Sequence, residues 1–186
     1  MSIKRRIWAL PIVATIIFGV GIAASVYFST TAINSIKTTE KIDYPVLDKV
    51  KNIQTDVQGI VDSLKQAVGE DDKKGIDAVS ERAKKVREKF KALGALPGQQ
   101  ALGDRLNKEF DAYYSPAVTV AKIMLGMDQG DPQAAIGQMQ NSLKVLETDI
   151  SKTVEAAQTQ FTAGIDNSND NVRRVLWTVI IAGLFV

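Results

Sequence analysis

The chain of 186 residues has room for one domain of ordinary size besides any membrane anchors. It contains no cysteine and no histidine, which excludes disulfides, thiol catalysis and Ser-His-Asp catalysis and removes the commonest metal ligand. Residues 29–172 hold 18 of the 23 basic residues and all 21 acidic residues. This segment therefore has a net charge of −3 and lacks the basic stripe expected of a nucleic-acid-binding protein.

The first predicted element is a membrane span at residues 7–28, which are 22 residues without a charged side chain. As a helix they measure roughly 33 Å, enough to cross the hydrocarbon core of a bilayer. A basic cluster at positions 4–6 precedes them, so the positive-inside rule predicts that residues 1–6 are cytoplasmic. A cleaved signal peptide is the alternative, although its apolar core is usually only about 7–15 residues long. We therefore expect an inner-membrane protein with residues 29–172 in the periplasm.

Four amphipathic helices are predicted after the span, because apolar residues recur at alternating three- and four-residue intervals from Val46 onward. The turns between them are marked by Gly69, by Pro97-Gly98 and by Asp131-Pro132. The predicted helices cover residues 29–68, 72–93, 99–128 and 132–172.

Two prolines fall inside these predicted helices, where they remove a backbone hydrogen bond. Pro45 predicts either a hinge or an adjustment of register, and Pro116 predicts a kink or a break in the third helix. A second apolar stretch at 175–186 is predicted to begin another membrane span. Its 12 residues are too short to cross alone, so we expect the sequence to be cut within it.

The predicted fold class is all-α. Helices of similar length with short turns favour an antiparallel up-down four-helix bundle between two transmembrane helices. Residues 29–44 and 159–174 are then expected to form a two-helix stalk below the bundle. The alternative is that each helix is merely amphipathic and packs in another arrangement.

The residues do not form a catalytic constellation. Carboxylates are spread over helix exteriors beside lysines, and the glycines of 94–103 and 130–137 fit a turn and a helix start rather than a phosphate-binding loop. We expect a protein that is not an enzyme and holds no cofactor or metal. The acidic turns at 69–75 and 126–132 allow a cation, but ordinary capping explains them more simply.

Four residues are the candidates for ligand binding. Arg82 and Arg87 are predicted to lie on the second bundle helix, and arginine is the usual partner of a carboxylate or phosphate. Tyr113 and Tyr114 precede Pro116, where a loosened turn offers a hydroxyl to a pocket. Surface solvation of the arginines and core packing of the tyrosines are the competing interpretations.

The architecture resembles the sensor half of bacterial transmembrane chemoreceptors, the methyl-accepting chemotaxis proteins. Three stretches carry the resemblance, which as an architecture covers essentially the whole chain. They are KRRIWALPIVATIIF entering a span, DYPVLDKVKNIQTDVQGIVDSLKQAV in the first bundle helix, and NVRRVLWTVIIAGLFV re-entering the membrane. Membrane histidine kinases and diguanylate cyclases use similar sensor domains.

The resemblance implies a homodimer paired along its first and fourth bundle helices. It further implies that a small-molecule ligand or a periplasmic binding protein docks on the outer bundle and displaces the last helix, which drives chemotaxis signalling. In some relatives, an arginine on the first or fourth helix binds the carboxylate of an amino-acid ligand. No arginine is predicted on either of those helices between Ser29 and Val172, so such a ligand is not expected here.

Two alternative functions stay open at this point. The same module can serve a diguanylate cyclase or a histidine kinase, or the chain can be a membrane-tethered adaptor bundle that binds no ligand.

Overall fold

The computed structural model describes the backbone of residues 3–184 and, apart from 134, 182 and 184, the side chains from residue 15 onward in that range. Every element in the described part of the chain is helical. The elements are α1 (Ile3–Thr38), a π-helical segment (Thr39–Asp43), α2 (Tyr44–Gly69), α3 (Gly75–Gly94), α4 (Gln100–Met124) and α5 (Pro132–Leu184). The all-α prediction is thereby confirmed. The first two residues of the predicted cytoplasmic segment and the last two of the predicted second span lie outside the described residues.

The chain forms two compact units. The first, called here the two-helix unit, is Met1–Asp43 with Gln160–Val186, and the second, called the helical domain, is Tyr44–Thr159. Helix α5 contributes residues to both units.

Two predicted helix ends were wrong by several residues. Helix α3 begins at Gly75 rather than 72, since residues 70–74 form a turn in which Asp71 adopts a left-handed φ of 51°. Helix α4 ends at Met124 rather than 128. There Gly126 has a φ of 63°, and the N–H of Met127 donates to the carbonyl of Lys122 at 2.8 Å. This is the pattern of a Schellman C-cap.

The prolines have different effects. Helix α4 runs through Pro116 without a break, so of the two predicted outcomes, a kink or a break, the break did not occur. Pro45 is the second residue of α2 and lies two residues after the end of the π-helical segment. Because proline has no N–H to donate to the preceding turn, a wider π turn at this point is physically reasonable. Asp131 caps α5 as predicted, since its Oδ1 accepts the N–H of Gln133 at 2.9 Å.

The core of the helical domain follows the predicted apolar pattern in α2 and α3. All thirteen predicted positions on these two helices are buried, and they are Val46, Val50, Ile53, Val57, Ile60, Leu64, Ala67, Ile76, Val79, Ala83, Val86, Phe90 and Leu93. On α4 the pattern holds from Leu106 to Val120, but Met124 is 58% exposed and Met127 is also exposed. The apolar pattern alone therefore overestimates packing at that end of α4.

The two-helix unit has small and polar side chains in its interior. Ala32, Thr39, Asp43 and Ser168 are buried, whereas Ile165, which continues the apolar spacing of the fourth predicted helix, is exposed. The hydroxyl of Ser168 donates to the carbonyl of Gly164 at 2.8 Å, and the hydroxyl of Ser35 lies 3.5 Å from the same oxygen. The predicted pairing of the segments around residues 35 and 164 is therefore present.

One helical stretch of the described residues is long and apolar enough to cross a membrane. It begins at Thr15, and its most apolar window has a mean hydropathy of 1.8 and is only 6% buried. By length and composition alone, this supports the coarser prediction of one N-terminal membrane span.

Candidate ligand-binding site

A cavity of about 330 Å³ opens between α2, α4 and α5 of the helical domain. Aliphatic and thioether side chains form most of its wall, chiefly Val61, Leu64, Val120, Met124, Met139 and Leu143. Among the lining residues, Lys65 is the one charged side chain and Tyr113 the one hydroxyl. Concave, mostly apolar sites of this size with a single convergent polar group are typical of small-molecule binding.

The cavity exists because α4 presents small residues where the core needs large ones. Ala117 and Ala121 lie one turn apart, and both are buried against the cavity. One and two turns earlier, the interior of α4 carries Tyr113 and Phe110. An alanine supplies far less volume than an aromatic ring, so the side chains of three helices do not meet.

Helix α5 also packs less tightly beside the cavity. Leu146 and Ile150 are fully buried, but Leu143 and Met139, which line the cavity, are only partly buried. The loss of burial coincides with the alanines of α4. The apolar interior is therefore open to solvent at this end.

Tyr113 supplies a neutral hydrogen-bonding group to the cavity. Its side chain is 2% exposed. Burial raises the pKa of the Tyr113 phenol, and the negative charges of Glu147 and Asp62 raise it further. The phenol therefore stays protonated at neutral pH and can both donate and accept a hydrogen bond.

Arg87 and Tyr114, two of the predicted binding residues, lie together in a separate cluster. The Nε of Arg87 donates to Oδ1 of Asp111 at 2.7 Å. The guanidinium carbon lies 5.0 Å from the ring centroid of Tyr114 and 5.5 Å from that of Phe110, and these two rings stack with centroids 5.5 Å apart. The cation is thus engaged by partners of the chain itself.

Arg82 lies apart from both of these sites. Its Nη1 donates to Oγ of Ser63 at 2.8 Å, across α2 and α3. It lines a second, more polar cavity of about 180 Å³ with Glu70 and Asp72. The four predicted residues therefore do not converge on one site: Tyr113 reaches the apolar cavity, and the other three do not line it.

A carboxyl pair bridges α4 and α5. Arg105 Nε lies 3.3 Å from Asp149 and 3.9 Å from Glu109. Burial raises the pKa of Glu109 to about 6, helped by the charge of Asp149 and by a hydrogen bond shared with it, while Arg105 opposes the shift. One oxygen of Glu109 is buried without a hydrogen-bond partner. A proton on that carboxyl near pH 6 relieves repulsion between the two acids.

The carboxylates of the acidic turns accept local backbone hydrogen bonds. Asp72, Asp128 and Asp131 each accept a backbone N–H one or two residues later, at 2.8–3.1 Å. Within the described residues, no three acidic side chains are grouped to hold a metal ion. Asp131 thus caps α5, while Asp72 and Asp128 accept hydrogen bonds within the turns.

Comparisons of the chain with protein-family models, with curated proteins and with solved structures found no match.

Proposed function

We propose that this chain is a membrane-anchored sensor module whose helical domain binds a small molecule and signals through α5. One observation carries the proposal: an apolar helix of membrane-spanning length and a ligand-sized cavity occur in the same chain. An apolar cavity of about 330 Å³ leaves its lining side chains without packing partners, which costs stability. A protein that binds a ligand in the cavity has a reason to retain it despite the lost stability, whereas a purely structural adaptor does not.

The fold proposed for the helical domain is an antiparallel up-down four-helix bundle. Polar contacts join each helix to the next: Asp56 to Lys89, Arg87 to Asp111, and Arg105 to Asp149. Lys51 on α2 donates to Gln158 on α5 at 3.1 Å and so links the last helix to the first. A closed ring of neighbours with short turns is the pattern of such bundles.

The proposed signal is a change in the packing of α5. Met139 and Leu143 contribute to the cavity from this helix, which is uninterrupted from Pro132 to Leu184. A ligand in the cavity adds contacts to α5 and favours whichever position of the helix makes more of them. Chemotaxis is the output we propose for this signal, on the strength of the resemblance to chemoreceptors alone.

The proposed partner is a second copy of the chain. In the two-helix unit the apolar residues Ile33, Ile36, Ile165 and Val172 are exposed, whereas Thr39, Asp43 and Ser168 are buried. Pairing of two copies along α1 and α5 covers that apolar surface. Since the chain has no cysteine, Ile36→Cys introduces a unique thiol. Disulfide-linked dimers in native membranes support the pairing, and a monomer under the same oxidation argues against it.

The proposed topology places residues 1–6 in the cytoplasm and residues 29–172 in the periplasm of the inner membrane. Alkaline phosphatase fused after residue 100 is then active, while β-galactosidase at the same position is inactive. Fusions after residue 6 serve as the cytoplasmic control and give the reverse result. If position 100 behaves like position 6, the sensing proposal fails.

A further inference from the structure

The cavity also indicates which kind of molecule it takes. We infer that its ligand is a small, uncharged, largely apolar molecule of about two fused rings, carrying at most one hydroxyl or carbonyl group. This inference rests on the proposed sensing function for its biological role, but the binding itself is measured independently.

Cavity volume sets the size of the ligand. An engineered cavity of about 150 Å³ in a protein interior holds one benzene molecule, and the cavity here is about 330 Å³. It therefore fits roughly ten to twelve non-hydrogen atoms. That volume is too small for a turn of helix with its side chains, so a helical segment of a partner protein does not fit inside it.

The wall chemistry sets the charge of the ligand. Aliphatic and thioether groups cannot satisfy an ion, and a charged group buried against them pays a large desolvation penalty. The charges nearby do not favour one sign, because Lys65 lines the cavity while Asp62 and Glu147 act on Tyr113. A neutral molecule avoids the penalty altogether.

Tyr113 sets the single polar contact. Its protonated hydroxyl is the one hydroxyl among the lining residues, so a ligand with one hydroxyl or carbonyl oxygen gains one hydrogen bond there. We choose 2-naphthol as the probe, because it is neutral at pH 7 and has eleven non-hydrogen atoms, within the range of about ten to twelve set by the volume.

The four methionines of the chain provide a direct readout. Met124 and Met139 line the cavity, whereas Met127 is exposed and does not line it. The full chain with ¹³C-methyl-labelled methionine is placed in lipid nanodiscs and titrated with 2-naphthol. We expect saturable shifts of the Met124 and Met139 signals and an unchanged Met127 signal.

A filled cavity is the specificity control. Ala121→Leu adds volume inside the cavity and should weaken 2-naphthol binding at least tenfold. Ala101→Leu makes the same change on the exposed face of α4 and should leave binding unchanged. If Ala121→Leu does not fold, the smaller change Ala117→Val also reduces the cavity volume and should also weaken 2-naphthol binding. Equal affinity of a folded filled variant and the wild type overturns the site.

Charged analogues of the same shape test the ligand class. We expect 2-naphthoate and 2-naphthylmethylammonium to bind at least tenfold more weakly than 2-naphthol, and either ion binding as tightly overturns the uncharged class. Unshifted Met124 and Met139 signals at saturating probe overturn the inference and leave the periplasmic topology intact. If 2-naphthol binds but the fusions place residue 100 in the cytoplasm, the inferred ligand class stands and the proposed sensing role is wrong.

Discussion

The hydroxyl oxygen of Thr39 fills the space that a Cβ on Gly164 would need. A carboxylate oxygen of Asp43 lies 3.2 Å from the same point. Both Thr39 Oγ1 and Asp43 Oδ1 are buried without a hydrogen-bond partner in the structure. Within the two-helix unit, the polar π-helical turn therefore packs tightly against Gly164, where a larger residue does not fit.

Replacing that glycine should loosen the pairing of the two-helix unit. Gly164→Ala forces Thr39 and Asp43 to move, and overpacking of this kind costs about 1–3 kcal/mol. Amide hydrogen exchange of residues 35–43 should then become roughly 5- to 150-fold faster. Gly59→Ala is the control, because its Cβ meets nothing within 4 Å. Equal exchange rates in the two variants would contradict the close approach.

A second glycine fixes the crossing of α3 and α4. A Cβ on Gly103 would lie 2.7 Å from both the N and the Cα of Gly94. Backbone atoms cannot move aside as a flexible side chain can, so Gly103→Ala should destabilise the helical domain by about 1–3 kcal/mol. The midpoint of thermal unfolding by circular dichroism measures this. Gly137→Ala is the control, because a Cβ on Gly137 would have no neighbour within 4 Å. The unfolding midpoint of this variant should stay the same or rise, because alanine has a higher helix propensity than glycine.

Stability of the helical domain should depend on pH through Glu109. Its folded pKa of about 6 lies above the ordinary value of 4.5, so the folded state binds more protons between these two pH values. Stability therefore falls as pH rises from about 4.5 through 6, by less than about 2 kcal/mol because solvent partly screens this group. Thermal melts at pH 4.5, 6 and 7.5 measure the effect. In Glu109→Gln, stability should no longer fall with pH in this range. If it falls as steeply as in the wild type, a group other than Glu109 causes the effect.

The Arg87 cluster should stabilise the contact of α3 with α4 more through stacking than through charge. Its ion pair with Asp111 is half-exposed and worth little by itself, but two aromatic rings lie under the guanidinium. Arg87→Ala should lower stability by about 1 kcal/mol. Arg87→Lys keeps the charge and should restore less than half of the loss. Full recovery by lysine would show that the ion pair dominates.

The sequence predicts the helices well where apolar spacing is regular. Every predicted core position of α2 and α3 is buried, because heptad spacing keeps one face of each helix inward. The pattern fails at Met124 and Ile165, which are exposed. Periodicity shows which face is apolar, but it does not show whether a neighbouring helix reaches that face.

The candidate site was only partly predictable. Tyr113 was identified, but the cavity beside it depends on the volumes of Ala117 and Ala121, which the apolar pattern counts like any other core residue. The pairing of Arg87 with Tyr114 depends on the register of α3 against α4, which no spacing within one helix reveals. The π-helical turn at Thr39–Asp43 carries no apolar signal and was not predicted.

The most direct test of the account asks whether cavity occupancy alters the two-helix unit. The hydroxyls of Ser35 and Ser168 lie at the same carbonyl oxygen, so Ser35→Cys with Ser168→Cys gives a thiol pair in a cysteine-free chain. Its rate of disulfide formation in native membranes is measured with and without 2-naphthol, in chains with Ala121 or with Ala121→Leu. We predict a severalfold change of rate that depends on Ala121. An unchanged rate with the cavity demonstrably filled would contradict signalling through α5.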